Sequence, residues 1–266
     1  MNRSKCEVIG HNNVTRTLFF ASGVTLPETS KSTAVLLGSP LSAGQHLDQI
    51  LNGKKLELQK LTSRLKLMPS HDSLFLLRNV LTAPRLMYLL RSAPCTDSPE
   101  LPLYDEVIRS ALSATINVDL NDERWRQASL PVRWGGLGVR SVVLLAPSAY
   151  LASAASTAEL ASRLLPARLR DVVDSGIAPA TSAWLQQASD PLTSTPTALV
   201  PVSSAQRVWD DQCCEVQADK LLHAVVDQVT RARLLAARSP YSGDWLEALP
   251  LSSIEIGRAS CRERVY

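Results

Sequence analysis

The chain has 266 residues, of which 45% are apolar, and its 28 basic and 25 acidic side chains give a net charge of +3. The length excludes a mini-protein, and the small net charge excludes a strongly charged disordered tail, so any basic surface must be local. The five cysteines are scattered and odd in number. They predict no disulfide framework and favour a reduced, intracellular location, in the nucleus or the cytoplasm. No apolar run approaches the roughly 18 residues that a membrane-spanning helix needs, so we expect no membrane partner.

Strand patterns are confined to the first 41 residues. Short apolar stretches at 6–9, 17–20 and 33–37 predict strands, and the last of them ends at a Gly-Ser-Pro turn signal that begins at Gly38. Three short strands are too few for an independent domain. We therefore expect residues 1–41 to be the end of a sheet whose other strands precede the chain.

The pattern becomes helical from Ser42. Apolar residues recur at spacings of three, four and seven, which predicts one long helix that ends near Pro69 and turns its apolar stripe towards the core. We expect Ser70 to cap a second helix, Pro84 to lie in the first turn of a third, and Pro99 to open a fourth. The stripe of the first helix comprises Leu47, Ile50, Leu51, Leu58, Leu61, Leu65 and Met68.

The second half of the chain also predicts helices. Asn121 is expected to cap a short helix, and residues 130–140 (LPVRWGGLGVR) are too rich in glycine for anything but a shaped loop. Alanine-rich helices follow at 141–175, and the prolines, serines and threonines of 189–204 predict a linker. Residues 205–238 predict one long helix, so the fold class is mainly α with a small β-sheet at the N-terminus. The apolar face of that last helix comprises Trp209, Cys213, Val216, Val226 and Val229.

The last twelve residues, 255–266, break off the preceding pattern in mid-segment. Their string EIGRASCRERV resembles one reading frame of a common sequencing adapter. We therefore expect this tail to be artefactual and to contribute nothing to the fold.

Seven groups of short motifs occur in a specific order along the chain. They are SKCEVI at 4–9, LLGSPL at 36–41, RL at 64–65 with HDSL at 71–74, PRLMYLLR at 84–91, WRQASLP at 125–131, WGGLGVRS at 134–141 and GDWL at 243–246. In this order they resemble the part of a non-long-terminal-repeat retrotransposon reverse transcriptase that follows its catalytic aspartates. The resemblance covers nearly the whole chain up to residue 254.

The resemblance implies that the chain corresponds to consecutive parts of a polymerase. These parts are the end of the palm at 1–41, a helical thumb at 42–120, a helical connector with the glycine-rich loop at 121–188, the linker at 189–204 and a C-terminal helical segment at 205–254. A fragment of this kind would hold the RNA template and the DNA primer during RNA-directed DNA synthesis.

The same resemblance implies roles for two residues of the palm. Lys5 would be a general acid in the intact polymerase only. Gly38, with Leu37 before it, would form the turn that grips the primer. The carboxylates that hold two Mg²⁺ ions lie upstream of Lys5 in the family. We therefore expect no cofactor and no metal site in this chain, and no polymerase activity from it alone.

Charge supports a nucleic-acid partner without the family name. Residues 51–91 contain eight basic and two acidic side chains, or 8 − 2 = +6, which exceeds the charge of the whole chain. Such a concentration on consecutive helices is typical of phosphate contact, and Lys54 even falls within the apolar stripe. The alternative is a helical protein-interaction or structural module with no nucleic-acid role, in which the cations form pairs along the helices. The predicted phosphate contacts are Lys54, Lys55, Lys60, Arg64 and Arg85.

Other candidates come from the loop and from the last helix. Arg133, Arg140 and the amides of the glycine-rich loop could face a phosphate, although a structural turn packed under Trp134 explains the same residues. Asp210-Asp211 predicts an exposed helix face. The cysteine pair that begins at Cys213, together with His223, lacks zinc-ligand spacing, so we expect the cysteines to be packing residues.

Overall fold

The computed structural model describes residues 9, 29–30, 32–166, 175–189, 200–201 and 203–247. Lys5, the predicted strand at 17–20, most of the predicted linker and the tail at 255–266 lie outside these residues. Within them the chain is mainly helical and carries one small antiparallel sheet near its N-terminus, as the sequence predicts.

The sheet is a minimal hairpin. Strand β1 (Val35–Leu36) pairs with strand β2 (Ser39–Pro40), with Val35 opposite Pro40 and Leu36 opposite Ser39. The predicted strand at 33–37 therefore forms over only two residues before the chain turns back. Ala34 and the two residues of β2 are buried, whereas β1 faces outwards.

Four helices follow the hairpin. Their bounds are α1 (Gln45–Leu65), α2 (Ser70–Leu76), α3 (Ala83–Ser92) and α4 (Glu100–Ile116), with a π-helical turn (Leu77–Leu81) between α2 and α3.

The prediction that the leucines of α1 face the core is confirmed, because Leu47, Leu51, Leu58 and Leu65 are all buried. Pro84 lies in the first turn of α3, and Pro99 is the N-cap of α4. Two details differ from the prediction. Ser70 is the first helical residue rather than the cap, since Pro69 takes the cap position, and Met68 is exposed because α1 ends before it.

The next helices surround the glycine-rich loop. Asn121 caps α5 (Asp122–Ser129) by accepting a hydrogen bond from the Arg124 amide. A 3₁₀ turn (Val132–Trp134) leads into the loop, after which α6 (Val142–Leu164) and α7 (Ile177–Ala188) follow. The loop and the short capped helix were both predicted.

The prediction of one long helix over 205–238 is wrong, because the chain forms α8 (Gln206–Ala224) and α9 (Gln228–Ala237). Asp227 accepts hydrogen bonds from the amides of Val229 and Thr230, and an aspartate in this position strongly favours a new helix start. Val226 is 96% exposed and Val229 is 58% exposed, so neither belongs to an apolar face. A last 3₁₀ turn (Asp244–Glu247) follows.

Two hydrophobic clusters meet along α6. The larger cluster joins α1, α3 and α4 to the first two turns of α6, from Val142 to Ala149. The smaller cluster begins at Tyr150 and joins α6 to α7 and α8. In the smaller cluster Trp184 packs edge-on against Trp209, with ring centroids 5.3 Å apart, and its indole N–H donates to the Trp209 carbonyl. Such aromatic pairs stabilise beyond the area they bury.

A buried carboxylate connects α4 to the start of α6. Asp105 accepts hydrogen bonds from the Ser141 hydroxyl and from the Val142 amide, the latter at 2.7 Å. Burial raises the pKa of Asp105 to about 6, although these hydrogen bonds act in the opposite direction. The carboxylate satisfies donors that the first turn of a helix cannot satisfy itself.

Candidate nucleic-acid interface

The hairpin turns through Leu37 and Gly38. Both residues have left-handed backbone conformations, with φ values of 51° and 84°. Positive φ at both central residues is the geometry of a type I′ turn, in which glycine is unstrained and leucine is strained. The Leu37 side chain is 87% exposed, so packing within the chain does little to offset that strain.

Helix α3 fixes the turn in place. The Tyr88 hydroxyl donates a 2.6 Å hydrogen bond to the Leu37 carbonyl, and the hydroxyl oxygens of Ser92 and Ser39 lie 2.9 Å apart. The Tyr88 ring itself remains half exposed. Gly38, the residue predicted to grip a primer, therefore lies at the tip of a hairpin that is attached to α3.

Three of the five cations predicted to contact phosphate are held in ion pairs. Lys54 and Arg85 both contact Glu57, at 3.3 Å and 2.6 Å, and Lys55 contacts Glu100 at 2.7 Å. The hydrogen bond from Lys54, together with the charges of Lys54 and Arg85, lowers the pKa of Glu57. Since the Lys54 side chain is 42% exposed, its ammonium reaches water and does not lie in the apolar stripe. These three cations share two carboxylates, so their charges sum to 3 − 2 = +1 within the chain.

The other two predicted cations are exposed on α1. Lys60 and Arg64 are four residues apart, which places them on one face of the helix. Neither forms an ion pair with any residue in the described ranges. Lys66, just after the end of α1, is also exposed. The unpaired basic face of α1 is therefore narrower than the sequence predicts.

A groove of about 590 Å³ with both polar and apolar walls lies beside this face, between α1, α2 and α4. Among the described residues its lining includes Lys55, Lys66 and the Glu106 carboxylate. The hydroxyls of Thr62 and Ser63 on its wall donate to carbonyls of their own helix, so these two O–H donors are already used. Sequence reasoning missed the groove. The signal lies in the small residues of α4 at helical spacing, which are Ser110, Ala111, Ala114 and Thr115.

The glycine-rich loop uses its amides internally. The N–H groups of residues 134–138 each donate to a backbone carbonyl of residues 128–132. These amides are therefore not available to a phosphate. A Cβ atom on Gly136 would collide with the Leu130 carbonyl, so close backbone packing is what requires glycine there. The structural turn, which the sequence favours over a binding loop, accounts for this part of the loop.

The two arginines of the loop pair with the aspartates of α8. Arg140 donates two hydrogen bonds to Asp210, of 2.8 Å and 2.6 Å, and Arg133 forms an ion pair with Asp211. Asp210 is only 9% exposed, so the prediction of an exposed aspartate pair is wrong for this residue. The fork of a guanidinium matches a carboxylate, and this bidentate pairing compensates for burial of the charge. Arg207 also contacts Asp211, at 3.4 Å.

These contacts bear on the metal that the resemblance implies. The Mg²⁺ ions of a polymerase need free carboxylate oxygens, and both aspartates of α8 already hold arginines, so they do not fit such a site. Across the described residues, no group of three histidine, cysteine or acidic side chains is placed to hold a metal ion.

The cysteines of α8 are packing residues, as predicted. Cys213 is buried in the smaller cluster of α6, α7 and α8, and Cys214 is buried with Leu130 and Ala218 in a third, separate cluster. Burial raises the pKa of Cys213 to about 12 and that of Cys214 to about 11, and it raises the pKa of Cys95 to about 12 as well. These thiols are therefore protonated at neutral pH and are poor nucleophiles.

Comparison with known proteins identifies no relative of this chain. Scans against protein-family models, curated proteins and solved structures each return no match. In the part of the chain that the structure describes, none of the helices combines the length and hydropathy that crossing a bilayer requires.

Proposed function

We propose that this chain holds the RNA template and DNA primer of a retroelement reverse transcriptase, as its thumb and the adjoining end of the palm. The observation that carries the proposal is the hairpin tip. Leu37 occupies a strained left-handed conformation and yet exposes its side chain, and Tyr88 fixes it there. Strained backbone conformations cluster at functional sites, so the strain at this exposed leucine supports a binding role. Contact with a primer would bury its side chain.

The cations of α1 support the same proposal. Lys60 and Arg64 offer two exposed positive charges on one helix face, where a duplex backbone can approach. Phosphate contacts of this kind give affinity without sequence preference. The proposal assigns no Mg²⁺ ligand to the described residues, and Lys5 keeps its expected role as a general acid in an intact polymerase.

Replacement of Leu37 by asparagine tests the hairpin directly. Asparagine tolerates the left-handed conformation, so Leu37→Asn removes the apolar contact without adding strain. We expect affinity for a fluorescent RNA–DNA hybrid, measured by anisotropy, to weaken roughly fivefold, the equivalent of about 1 kcal/mol for partial burial of a leucine. Leu164→Asn is the matched control, because Leu164 is 74% exposed on α6, outside the hairpin. Equal affinities for Leu37→Asn and the unchanged chain would contradict the proposal.

A second function is favoured by one observation. Lys54, Lys55 and Arg85 are already paired with carboxylates of the chain, as expected for a helical interaction or structural module without a nucleic-acid role. This alternative predicts no measurable binding of the hybrid by any variant. The anisotropy measurement therefore separates the two functions.

A further inference from the structure

A second cationic cluster lies apart from the hairpin and from α1, where the glycine-rich loop meets α8. Among the described residues, a pocket of about 330 Å³ is lined there by three guanidinium side chains, Arg78, Arg133 and Arg140, and by the Asp210 carboxylate. Arg140 pairs with Asp210, and Arg133 pairs with Asp211, which lies outside the lining. Each guanidinium has five N–H donors, so these pairs leave donors that an anion in the pocket can use.

The positions of the arginines are constrained by the surrounding structure. Arg78 donates a 2.8 Å hydrogen bond to the Leu246 carbonyl, and it lies against Gly138, whose φ is 75°. A Cβ atom on Gly138 would come within 2.9 Å of the Arg78 Nε atom, so the glycine allows the guanidinium to approach the loop. Arg140 is held by its bidentate bond to Asp210.

Arg133 is the most accessible cation of the three. Its side chain is 36% exposed and pairs with Asp211, which Arg207 also contacts. Burial is the main cause that lowers the pKa of Arg133, and the positive charge of Arg207 lowers it further.

We infer that this pocket binds a phosphate group, with Arg78, Arg133 and Arg140 as the binding residues. Guanidinium groups match the geometry of phosphate oxygens through paired N–H donors, and they favour a doubly charged anion over chloride. The amides of residues 134–138 do not contribute, because they are used internally. The inference is independent of the proposed function, since none of its residues belongs to the hairpin or to α1.

Thermal unfolding of the full chain in sodium phosphate tests the inference, with sodium chloride at equal ionic strength as the reference. A ligand that binds only the folded state raises the midpoint in a saturable manner. We expect saturation in phosphate, and an apparent affinity about tenfold weaker for Arg133→Gln, since a charge-assisted hydrogen bond is lost. Arg207→Gln is the matched control, because it removes a cation from the same aspartate without touching the pocket. That variant should keep its affinity within about twofold.

Two results would overturn the inference. One is the absence of any saturable difference between phosphate and chloride. The other is an equal loss of affinity in Arg133→Gln and Arg207→Gln, which would indicate diffuse attraction to net charge. If Arg133→Gln is too unstable to measure, the NMR resonances of the arginine Nε–H groups in the unchanged chain test the same inference. Those of Arg78, Arg133 and Arg140 should shift with phosphate while that of Arg207 stays fixed.

The same resonances distinguish the source of the phosphate. Shifts produced by adenosine monophosphate and inorganic phosphate, but not by an oligothymidylate without terminal phosphates, would identify a phosphomonoester site. Shifts produced by the oligothymidylate as well would identify a nucleic-acid backbone. Both results support a phosphate pocket, and a failure of all three probes refutes it.

Discussion

Replacement of the two exposed cations of α1 is the sharpest test of nucleic-acid binding by this chain. Lys60→Gln combined with Arg64→Gln removes two charges from one helix face and leaves the ion pairs of Glu57 and Glu100 intact. Glutamine has nearly the same helix propensity as lysine and arginine, so α1 should remain folded. A change in binding would then report lost contacts and not lost structure.

The expected magnitude follows from the pairing pattern. If Lys60 and Arg64 each meet one phosphate of a duplex, the slope of log K against log salt should be roughly −0.9 × 2, or about −1.8. All five predicted cations together would give about −4.5. Because Lys54, Lys55 and Arg85 are already paired within the chain, we expect the smaller value. The double variant should show a slope near zero.

Fluorescence anisotropy of a labelled duplex over a salt series measures this slope. The charge-matched control is Lys54→Gln combined with Arg207→Gln, which also removes two charges but takes them from existing ion pairs. Circular dichroism should show both double variants to be helical. Slopes that fall equally in the two variants would refute the reasoning, because net charge rather than this helix face would then govern binding.

Three further predictions concern the fold. Burial raises the pKa of Asp105 from its ordinary value of 3.8 to about 6. Between these two pH values the folded chain holds a proton that the unfolded chain has released. The free energy of unfolding should therefore fall by roughly 3 kcal/mol as the pH rises from about 3.8 to about 6. Asp105→Asn should abolish this fall, as urea unfolding at several pH values would show; a fall of the same size in the variant would contradict it. Gly136→Ala should destabilise the chain by more than about 2 kcal/mol in the same assay, because its Cβ atom would meet the Leu130 carbonyl, and a neutral result would mean that the loop relaxes freely. Asp227→Ala should cost about 1 kcal/mol through loss of the cap of α9, whereas a stabilised variant would show that the chain prefers one continuous helix.

The helices were predictable because their signals are local. Leucine spacing in α1, the cap at Asn121 and the proline in the first turn of α3 all act within a few residues of sequence. The break between α8 and α9 also has a local signal in Asp227, but the apolar valines on either side masked it. Where a helix starts or ends depends on backbone hydrogen bonds that side chains nearby in the sequence can supply.

The site was less predictable because its decisive contacts join distant residues. Glu57 neutralises Arg85 from another helix, and Asp210 holds Arg140 across 70 positions of sequence. A count of charges along the chain cannot show such pairs, so it overestimated the free basic surface. The left-handed conformation of Leu37 was also hidden, since leucine is an unusual choice for a position that favours glycine.

Helix α6 takes part in both hydrophobic clusters, and this has a consequence for cooperativity. Its first two turns complete the cluster of α1, α3 and α4, and its middle supplies Tyr150 and Leu151 to the cluster of α7 and α8. If either cluster lost its packing, α6 would lose apolar contacts that hold it in place. The two ends of the described chain should therefore melt together, in one calorimetric transition, as a single thermodynamic unit.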